Sequence, residues 1–125
     1  MAKDTNNGRL ALAKEGENLA ARFLERLGYA IVARNARTRW GEVDLVAKDG
    51  ATWVFVEVKT RRSERYGLGA EAVTFYKQRH IIRMAQILLS RYQALDDAVR
   101  FDVVEVTLRR TGDPAVRHLP NAFGE

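Results

Sequence analysis

Two carboxylates and a lysine lie close together in the segment from Gly41 to Arg62, which reads GEVDLVAKDGATWVFVEVKTRR. Asp44 precedes Glu57 by thirteen positions, and Lys59 follows Glu57 by two. Because like charges repel, two carboxylates on one surface require a cation between them. Mg²⁺ commonly takes one or two carboxylates together with waters and substrate phosphate oxygens. The residue types therefore predict a Mg²⁺ or Mn²⁺ site at Asp44 and Glu57, with Lys59 as a mobile cation beside it.

A β-hairpin is the element expected to position these groups. Asp49-Gly50 is a strong signal for a two-residue turn, and segments rich in Val, Leu, Phe and Trp flank it. We take these two residues as the turn itself, which places Asp44 opposite Phe55. Side chains alternate between faces with period two. The predicted site face then carries Glu42, Asp44, Phe55, Glu57 and Lys59. The predicted apolar face carries Val43, Leu45, Val54, Val56 and Val58.

A carboxylate pair alone has a simpler interpretation, which is a solvated sheet face on which Lys59 or a nearby arginine neutralises Glu57. Short motifs carry a real rate of chance matches. The pattern here is more specific than a pair, because Glu-x-Lys stands at the end of a Val-rich strand. We therefore favour a site over a solvated face.

Asp44 followed by Glu57-Val58-Lys59 resembles the core motif of the PD-(D/E)XK nucleases, which have the restriction-endonuclease-like fold. In that superfamily the Asp and Glu ligate Mg²⁺, often with the backbone carbonyl of the residue between Glu and Lys, here Val58. The Lys orients or activates the attacking water. Val43 stands where the motif has its proline, which makes the match less distinctive.

A wider resemblance covers nearly the whole chain. The segments that carry it are EGENLAARFLERLGYAIVARN, GEVDLVAKDG, VFVEVKTR, RFDVVEV and NAF, and they resemble the YraN family of uncharacterised bacterial proteins. That family is similar to archaeal Holliday junction resolvases. The resemblance implies an α/β, restriction-endonuclease-like fold with a mixed central β-sheet flanked by α-helices. It implies the fold more safely than the activity, because one fold hosts many functions.

Glu17 is a further candidate for the site. In the resolvase-like proteins a Glu on the first helix completes the acidic site, and the match over KEGENLAARFL makes Glu17 the corresponding residue. Its position at the border of the helix's apolar stripe is equally typical of a glutamate paired with a basic residue. The resemblance favours the functional interpretation.

Composition indicates a single domain over residues 1–125, with residues 1–8 as a flexible N-terminal segment. A chain of 125 residues that is 46% hydrophobic can bury about two-thirds of its unfolded surface in one core. No apolar run approaches the roughly 20 residues of a membrane helix, and the N-terminus lacks an apolar signal-peptide region. The sequence has no cysteine, which excludes disulfides and thiolate metal sites and fits a cytoplasmic protein.

The net charge of +5 comes mostly from arginine, with 16 Arg against 5 Lys. Arginine forks bind phosphate bidentately, and the arginines cluster before and after the carboxylate segment. A basic rim around an acidic centre attracts a polyanion that the carboxylates alone would repel. The predicted nucleic-acid contacts are Arg34, Arg37, Arg39, Arg61, Arg62, Arg65 and Lys77. The alternative is that these arginines only solubilise loops.

The remaining elements are predicted in the order helix, strand, hairpin, helix and two further strands. The first helix is expected over residues 9–27, and a short strand from Tyr29 to Ala33 is followed by a loop that reaches Gly41. The segment SERYGLGAEA is predicted to be a mobile loop beside the site. Thr74 is expected to cap a second helix that ends near Tyr92. The last two strands are expected at 100–108 and 115–119.

Together these features predict a Mg²⁺- or Mn²⁺-dependent DNA endonuclease that acts on linear or branched DNA. The predicted catalytic residues are Asp44, Glu57, Lys59 and Glu17, and the predicted metal ligands are Asp44, Glu57 and the Val58 carbonyl. One alternative is a non-catalytic nucleic-acid-binding protein that keeps the nuclease fold. Another is a protein-interaction module whose basic rim meets an acidic partner. The expected partner is DNA, with no membrane; the sequence leaves a homodimer open.

Overall fold

The computed structural model describes residues 4–62 and 73–124. Its elements are α1 Asp4–Arg26, β1 Ala30–Thr38, β2 Gly41–Asp49, β3 Thr52–Arg61, α2 Phe75–Arg91, β4 Val99–Thr107 and β5 Ala115–Phe123. The order of helices and strands is the predicted one. The predicted mobile loop SERYGLGAEA and its Arg65 lie outside the described residues.

The five strands form one mixed sheet in the order β1-β2-β3-β4-β5. Neighbouring strands are antiparallel except β3 and β4, which are parallel. Two parallel neighbours need a long crossover connection, and α2 lies in the segment that joins them. The predicted α/β fold with a mixed central sheet is confirmed, and it is consistent with a restriction-endonuclease-like architecture.

Apolar side chains cover both faces of the sheet. The α1 face buries Ala20, Ala21, Leu24, Leu45, Ala47, Val54, Val56, Val104, Val106 and Leu108. The α2 face buries Val46, Trp53, Phe55, Ile81, Met84, Ala85, Leu88, Leu89, Phe101 and Val103, among others. Each fully buried Val, Leu or Phe stabilises the fold by about 1.5–3 kcal/mol. The alternation predicted for β3 is confirmed, with Val54 and Val56 on the α1 face and Phe55 on the α2 face. The prediction that only one face is apolar is wrong, because a strand covered by helices on both sides is apolar on both.

The hairpin between β2 and β3 is shifted from its predicted register. Asp49 pairs with Thr52 and Val46 pairs with Phe55, so Gly50 and Ala51 form the turn. The prediction that Asp49 and Gly50 form the turn is wrong, as is the placement of Asp44 opposite Phe55. Gly50 has a φ of +61° and comes first in the turn, as glycine does in two-residue turns that need positive φ at that position only.

The side chains of β1 and β2 switch from one face of the sheet to the other at the same position. Their pairing runs from Arg34↔Leu45 to Ala36↔Val43, with Asn35 and Asp44 between the two pairs. Leu45 is buried on the α1 face, whereas Ala36 and Val43 are buried on the α2 face. Residues two apart on a regular strand share a face, so both strands are irregular here, and Asn35 has a φ of +48°. The prediction that Val43 and Leu45 share a face is wrong for this reason.

β1 is longer than predicted. It extends to Thr38, so Arg34 and Arg37 lie on a strand and not in a loop. The polar sequence of its second half hid this, because β1 is at the edge of the sheet and most of its residues are partly or fully exposed. The α2 prediction is confirmed, since Thr74 is the N-cap and accepts a hydrogen bond from the Lys77 N–H. α1 begins at Asp4, earlier than the predicted residue 9.

A buried polar network ties β4 to β5. Asp102 is fully buried and accepts hydrogen bonds from Arg100 Nε at 2.9 Å and from the Asn121 N–H at 2.9 Å. His118 Nε2 lies 2.7 Å from its second oxygen, and Arg100 also contacts the Tyr29 hydroxyl. Burial raises the pKa of Asp102, but these hydrogen bonds outweigh it and hold the pKa below its usual value. The network satisfies a buried charge, so it is structural.

The described residues contain two helices, α1 and α2, and neither is long and apolar enough to cross a membrane.

α1 packs against β3 at Gly16. A Cβ added to Gly16 would lie 1.9 Å from Thr60 Oγ1, which is far inside contact distance. The absence of a side chain lets the helix backbone lie directly on the strand. This contact places the next residue, Glu17, beside the strand that carries Glu57 and Lys59.

Replacing Gly16 with Ala should lower the free energy of unfolding by about 1–3 kcal/mol through overpacking, although alanine favours helix. The matched control is Gly8→Ala in the same helix, where nothing lies within 4 Å of an added Cβ. That change should leave stability unchanged or raise it by up to about 1 kcal/mol. Urea denaturation measures both, and equal stability of the two variants would contradict the packing argument.

Candidate functional site

β2 and β3 separate at the carboxylates. Their described pairing ends at Leu45↔Val56, while β1 continues to pair with β2 and β3 with β4 beyond this point. Asp44 and Glu57 are the first residues after the last pair. Asp44 Oδ2 accepts a hydrogen bond of 2.8 Å from the Val58 N–H. A side-chain oxygen thus takes the place that a backbone carbonyl would hold in a continuous ladder.

Glu57 is buried and its charge is compensated by α2. Only 8% of the residue is exposed, and its Oε2 lies 3.1 Å from Lys77 Nζ. Lys77 lies in the first turn of α2, where the Thr74 cap fixes the start of the helix. Leaving a buried carboxylate unpaired is costly, so this ion pair holds β3 and the start of α2 together. Lys77 was predicted to contact DNA. In the structure its ammonium is paired with Glu57.

Asp44 carries a strongly raised pKa. Burial raises it most, the Glu57 carboxylate adds to this effect, and together they bring the pKa to about 7. The Glu17 carboxylate acts in the same direction. The Val58 N–H and Lys77 oppose the shift without cancelling it. The raised pKa thus comes first from burial and second from the neighbouring carboxylates, and a cation bound beside Asp44 would favour its ionised form.

Glu17 joins the site through Asn35. Asn35 Nδ2 lies 3.3 Å from both carboxylate oxygens of Glu17 and 3.1 Å from Glu42 Oε1. Glu42 is also paired with Arg37 at 3.0 Å. Burial, followed by the Glu42 charge, raises the pKa of Glu17, while the Asn35 hydrogen bond lowers it. One amide thus holds two carboxylates near Asp44.

Asn35 was not predicted from the sequence. A signal for it existed, because Asn is among the few non-glycine residues that adopt positive φ readily.

Lys59 lies on β3 two residues after Glu57 and is partly buried. Its neighbour on β4 is Glu105, whose Oε1 lies 3.8 Å from an Arg117 nitrogen. The other oxygen, Oε2, is buried without a hydrogen-bond partner. Glu105 was not predicted from the sequence, because polar residues commonly alternate with Val in a strand. The acidic group therefore continues across β4 beside Lys59.

The predicted arginines fall into two groups. Arg34 donates to Asn18 on α1, Arg37 pairs with Glu42, and Arg39 lies 5.5 Å from the ring centre of Trp40. Arg61 ends β3 and Arg62 follows it with an exposed side chain. In the first group, Arg34 and Arg37 lie on β1 and Arg39 follows its end, and the second group extends from the strand that carries Glu57 and Lys59.

Within residues 4–62 and 73–124, no three His, Cys, Asp or Glu side chains are grouped closely enough to hold a metal by themselves. The two carboxylates at the strand separation are nevertheless the oxygen ligands that Mg²⁺ uses, since it keeps waters and takes substrate oxygens for its remaining positions. The chemistry of the donor set fits a hard divalent cation.

The fold and this group of residues define an α/β protein with a mixed five-stranded sheet and an acidic centre where two strands separate. The chain belongs to the uncharacterised protein family UPF0102, the YraN family, whose family model matches residues 16–106. The resemblance found in the sequence is thereby confirmed. The matched range contains Glu17, Asp44, Glu57 and Lys59.

Relatives from several bacteria match the chain over most of its length. It is 52% identical over 112 residues to a UPF0102 protein of Geobacter sulfurreducens, covering 90% of this chain and 88% of that protein. It is 50% identical over 112 residues to one of Symbiobacterium thermophilum, covering 90% and 95%. A relative in Nocardia farcinica is 49% identical over 113 residues, covering 90% and 89%.

Asp44→Asn should make the metal-free protein more stable at pH 8. The pKa of Asp44 is higher in the folded chain than the ordinary value near 4, so the wild type loses stability as pH rises from about 4 to about 7. Asn keeps an oxygen for the Val58 N–H and cannot ionise. The expected gain at pH 8 is about 1–4 kcal/mol, with little difference at pH 4.

Urea denaturation in EDTA at both pH values measures this gain, with Asp113→Asn on an exposed turn as the control. A variant no more stable than the wild type at pH 8 would show that Asp44 ionises there without cost.

Proposed function

We propose that this protein is a metal-dependent endonuclease of the PD-(D/E)XK type that hydrolyses phosphodiester bonds in DNA. The observation that carries the proposal is the group of carboxylates at the separation of β2 and β3, where Glu57 is buried and Lys59 lies two residues further along the same strand. A solvated sheet face would not bury Glu57 or raise the pKa of Asp44 to about 7.

Asp44, Glu57 and the carbonyl of Val58 would hold the metal in this proposal. When bound, Mg²⁺ or Mn²⁺ supplies Lewis-acid polarisation of the scissile phosphate and lowers the pKa of water. Asp44 is already oriented by the Val58 N–H, so little reorganisation is needed on its side. A metal held by Glu57 would replace Lys77 as the partner of this carboxylate, and the Lys77 ammonium would then be available to the phosphate backbone.

Lys59 and Glu17 act on the reacting groups in different ways. Lys59 orients the attacking water and offsets the negative charge that develops on the phosphate. Glu17, held by Asn35, is an auxiliary carboxylate that supports the ligands. Arg34, Arg37, Arg39, Arg61 and Arg62 attract the DNA backbone, because a polyanion would otherwise be repelled by the acidic centre.

A non-catalytic nucleic-acid-binding protein is the second candidate. The observation that favours it is the Lys77–Glu57 ion pair, which neutralises the buried carboxylate without any metal. In this case the same fold and basic residues bind DNA, and the site never turns over.

Mn²⁺ should bind to the wild type with about one equivalent of specific sites and should fail to bind specifically to the Asp44→Ala, Glu57→Ala double variant. Both proposed carboxylate ligands are then gone. Isothermal titration calorimetry measures the binding, with Asp113→Ala as a control outside the site. Equal Mn²⁺ affinity of the double variant and the wild type would remove these residues from metal binding.

The endonuclease proposal itself is tested with linear, flapped and four-way DNA in Mg²⁺ or Mn²⁺. Cleavage should require the metal and should be absent in Asp44→Ala. A wild type that binds DNA and metal yet cleaves none of these substrates would favour the non-catalytic candidate.

Lys59→Ala should lower the cleavage rate by at least about 100-fold while changing the Kd for DNA less than about threefold. This separation is expected because Lys59 is proposed to act more strongly in the transition state than in the ground state. The matched control is Lys48→Ala, since Lys48 lies at the far end of the same hairpin and contacts Trp53. Cleavage of saturating DNA at the wild-type rate would exclude Lys59 from the mechanism.

A further inference from the structure

The outer face of α2 is basic and aromatic. The helix contains no Asp or Glu, and four of its seventeen residues are Lys or Arg. Tyr76, Arg79, His80 and Arg83 have the spacing i, i+3, i+4 and i+7, so they form one stripe. The buried side of the helix carries Ile81, Met84, Ala85, Leu88 and Leu89. The stripe is therefore a solvent-facing surface with positive charge and no acidic residue of its own helix to balance it.

Large aromatic side chains are exposed around this stripe. The exposed fractions are 81% for Tyr76, 73% for Phe75 and 58% for Trp40. Several large apolar side chains exposed on one surface indicate a binding site, whereas single exposed ones are common on any protein. The Tyr76 and His80 rings are stacked, with planes 5° apart. Arg79 lies 5.8 Å from the ring centre of Phe75.

A groove of about 430 Å³ runs between Trp40 and the stripe. Its lining includes Trp40, Tyr76, Arg79, His80 and Arg83. The lining combines aromatic rings with guanidinium groups. This combination offers flat surfaces for stacking and cations for phosphate, the two requirements of single-stranded nucleic-acid binding.

The groove adjoins the carboxylate site at two points. A Cβ at Gly41 would lie 3.1 Å from His80 Nε2, so the first residue of β2 is in contact with the stripe. Asp44 is three residues further along β2, which corresponds to roughly 10 Å. Lys77, which contacts Glu57, is the neighbour of Tyr76 on α2. A nucleic-acid strand bound in the groove would therefore run towards Asp44 and Glu57.

We propose that this groove binds unpaired nucleotides, with bases stacked on Trp40 and Tyr76 and phosphates held by Arg79 and Arg83. Duplex DNA buries its base faces and cannot use the exposed rings, whereas an unpaired segment can. The preferred substrate is then DNA with a single-stranded segment next to the bond that is cut. This substrate preference rests on the proposed endonuclease function, whereas the binding of unpaired nucleotides in the groove does not.

The test is binding in EDTA, where cleavage plays no part. Fluorescence anisotropy compares a labelled 15-nucleotide oligothymidine with a blunt duplex of the same length. Trp40→Ala and Tyr76→Ala should each weaken oligothymidine binding about tenfold and change duplex binding less than about twofold. Leu95→Ala is the control, because Leu95 is 61% exposed and lies outside the groove. Circular dichroism verifies that each variant is folded.

Tryptophan fluorescence gives an independent readout, because the chain has two tryptophans and only Trp40 is exposed. Trp53 is 8% exposed and stacked on Tyr92. Oligothymidine should quench the wild-type emission, and Trp40→Phe should abolish this quenching while retaining affinity within about threefold.

Several outcomes would overturn the inference. These are a wild type that does not bind oligothymidine, equal losses on oligothymidine and duplex, or variants that bind like the wild type. A wild-type dimer that Tyr76→Ala converts to monomer without nucleic acid would assign the surface to self-association. Selective loss of oligothymidine binding supports the groove even if no DNA is ever cleaved, so this test fails separately from the endonuclease assay.

Discussion

The arrangement of this molecule depends on two carboxylates held close together where a β-sheet opens. Asp44 and Glu57 lie just beyond the last described pair of β2 and β3, and both are at least partly buried. Burial disfavours ionisation of Asp44, and the Glu57 charge adds to the cost. The raised pKa of Asp44 expresses that cost, which the surrounding elements reduce but do not remove.

Three features of the fold compensate these carboxylates and their acidic neighbours Glu17 and Glu42. The Val58 N–H binds Asp44, Lys77 is paired with Glu57, and Asn35 holds Glu17 and Glu42 together. Each comes from a different element, so the site exists only when β1, β3 and α2 are assembled. The positive φ of Asn35 and the change of faces in β1 and β2 occur at the same level of the sheet. A natural sequence tolerates such local conflicts mainly where function requires them.

α2 combines three roles within seventeen residues. Its inner face completes the core on one side of the sheet, its first turn supplies Lys77 to Glu57, and its outer face forms the groove with Trp40. The helix can carry so many basic residues because none of them lies on its buried stripe. The acidic centre and the basic, aromatic surface are thus two sides of one helix–strand contact, and together they suit a polyanion with exposed bases.

The sequence by itself determined the order of the elements, the Thr74 cap and the family. It also picked out the group of Asp44, Glu57 and Lys59, because strand alternation, helix periodicity and the Asp…Glu-x-Lys spacing are local patterns. The hairpin register, the length of β1, and the partners of Asn35, Glu105 and Lys77 were decided only by the tertiary structure. A two-residue shift of the hairpin register keeps every side chain on the same face of its strand. Local sequence patterns therefore hardly distinguish the two registers. Pairing with β1 and burial beneath two helices select one of them, and only long-range contacts can show where β2 and β3 separate.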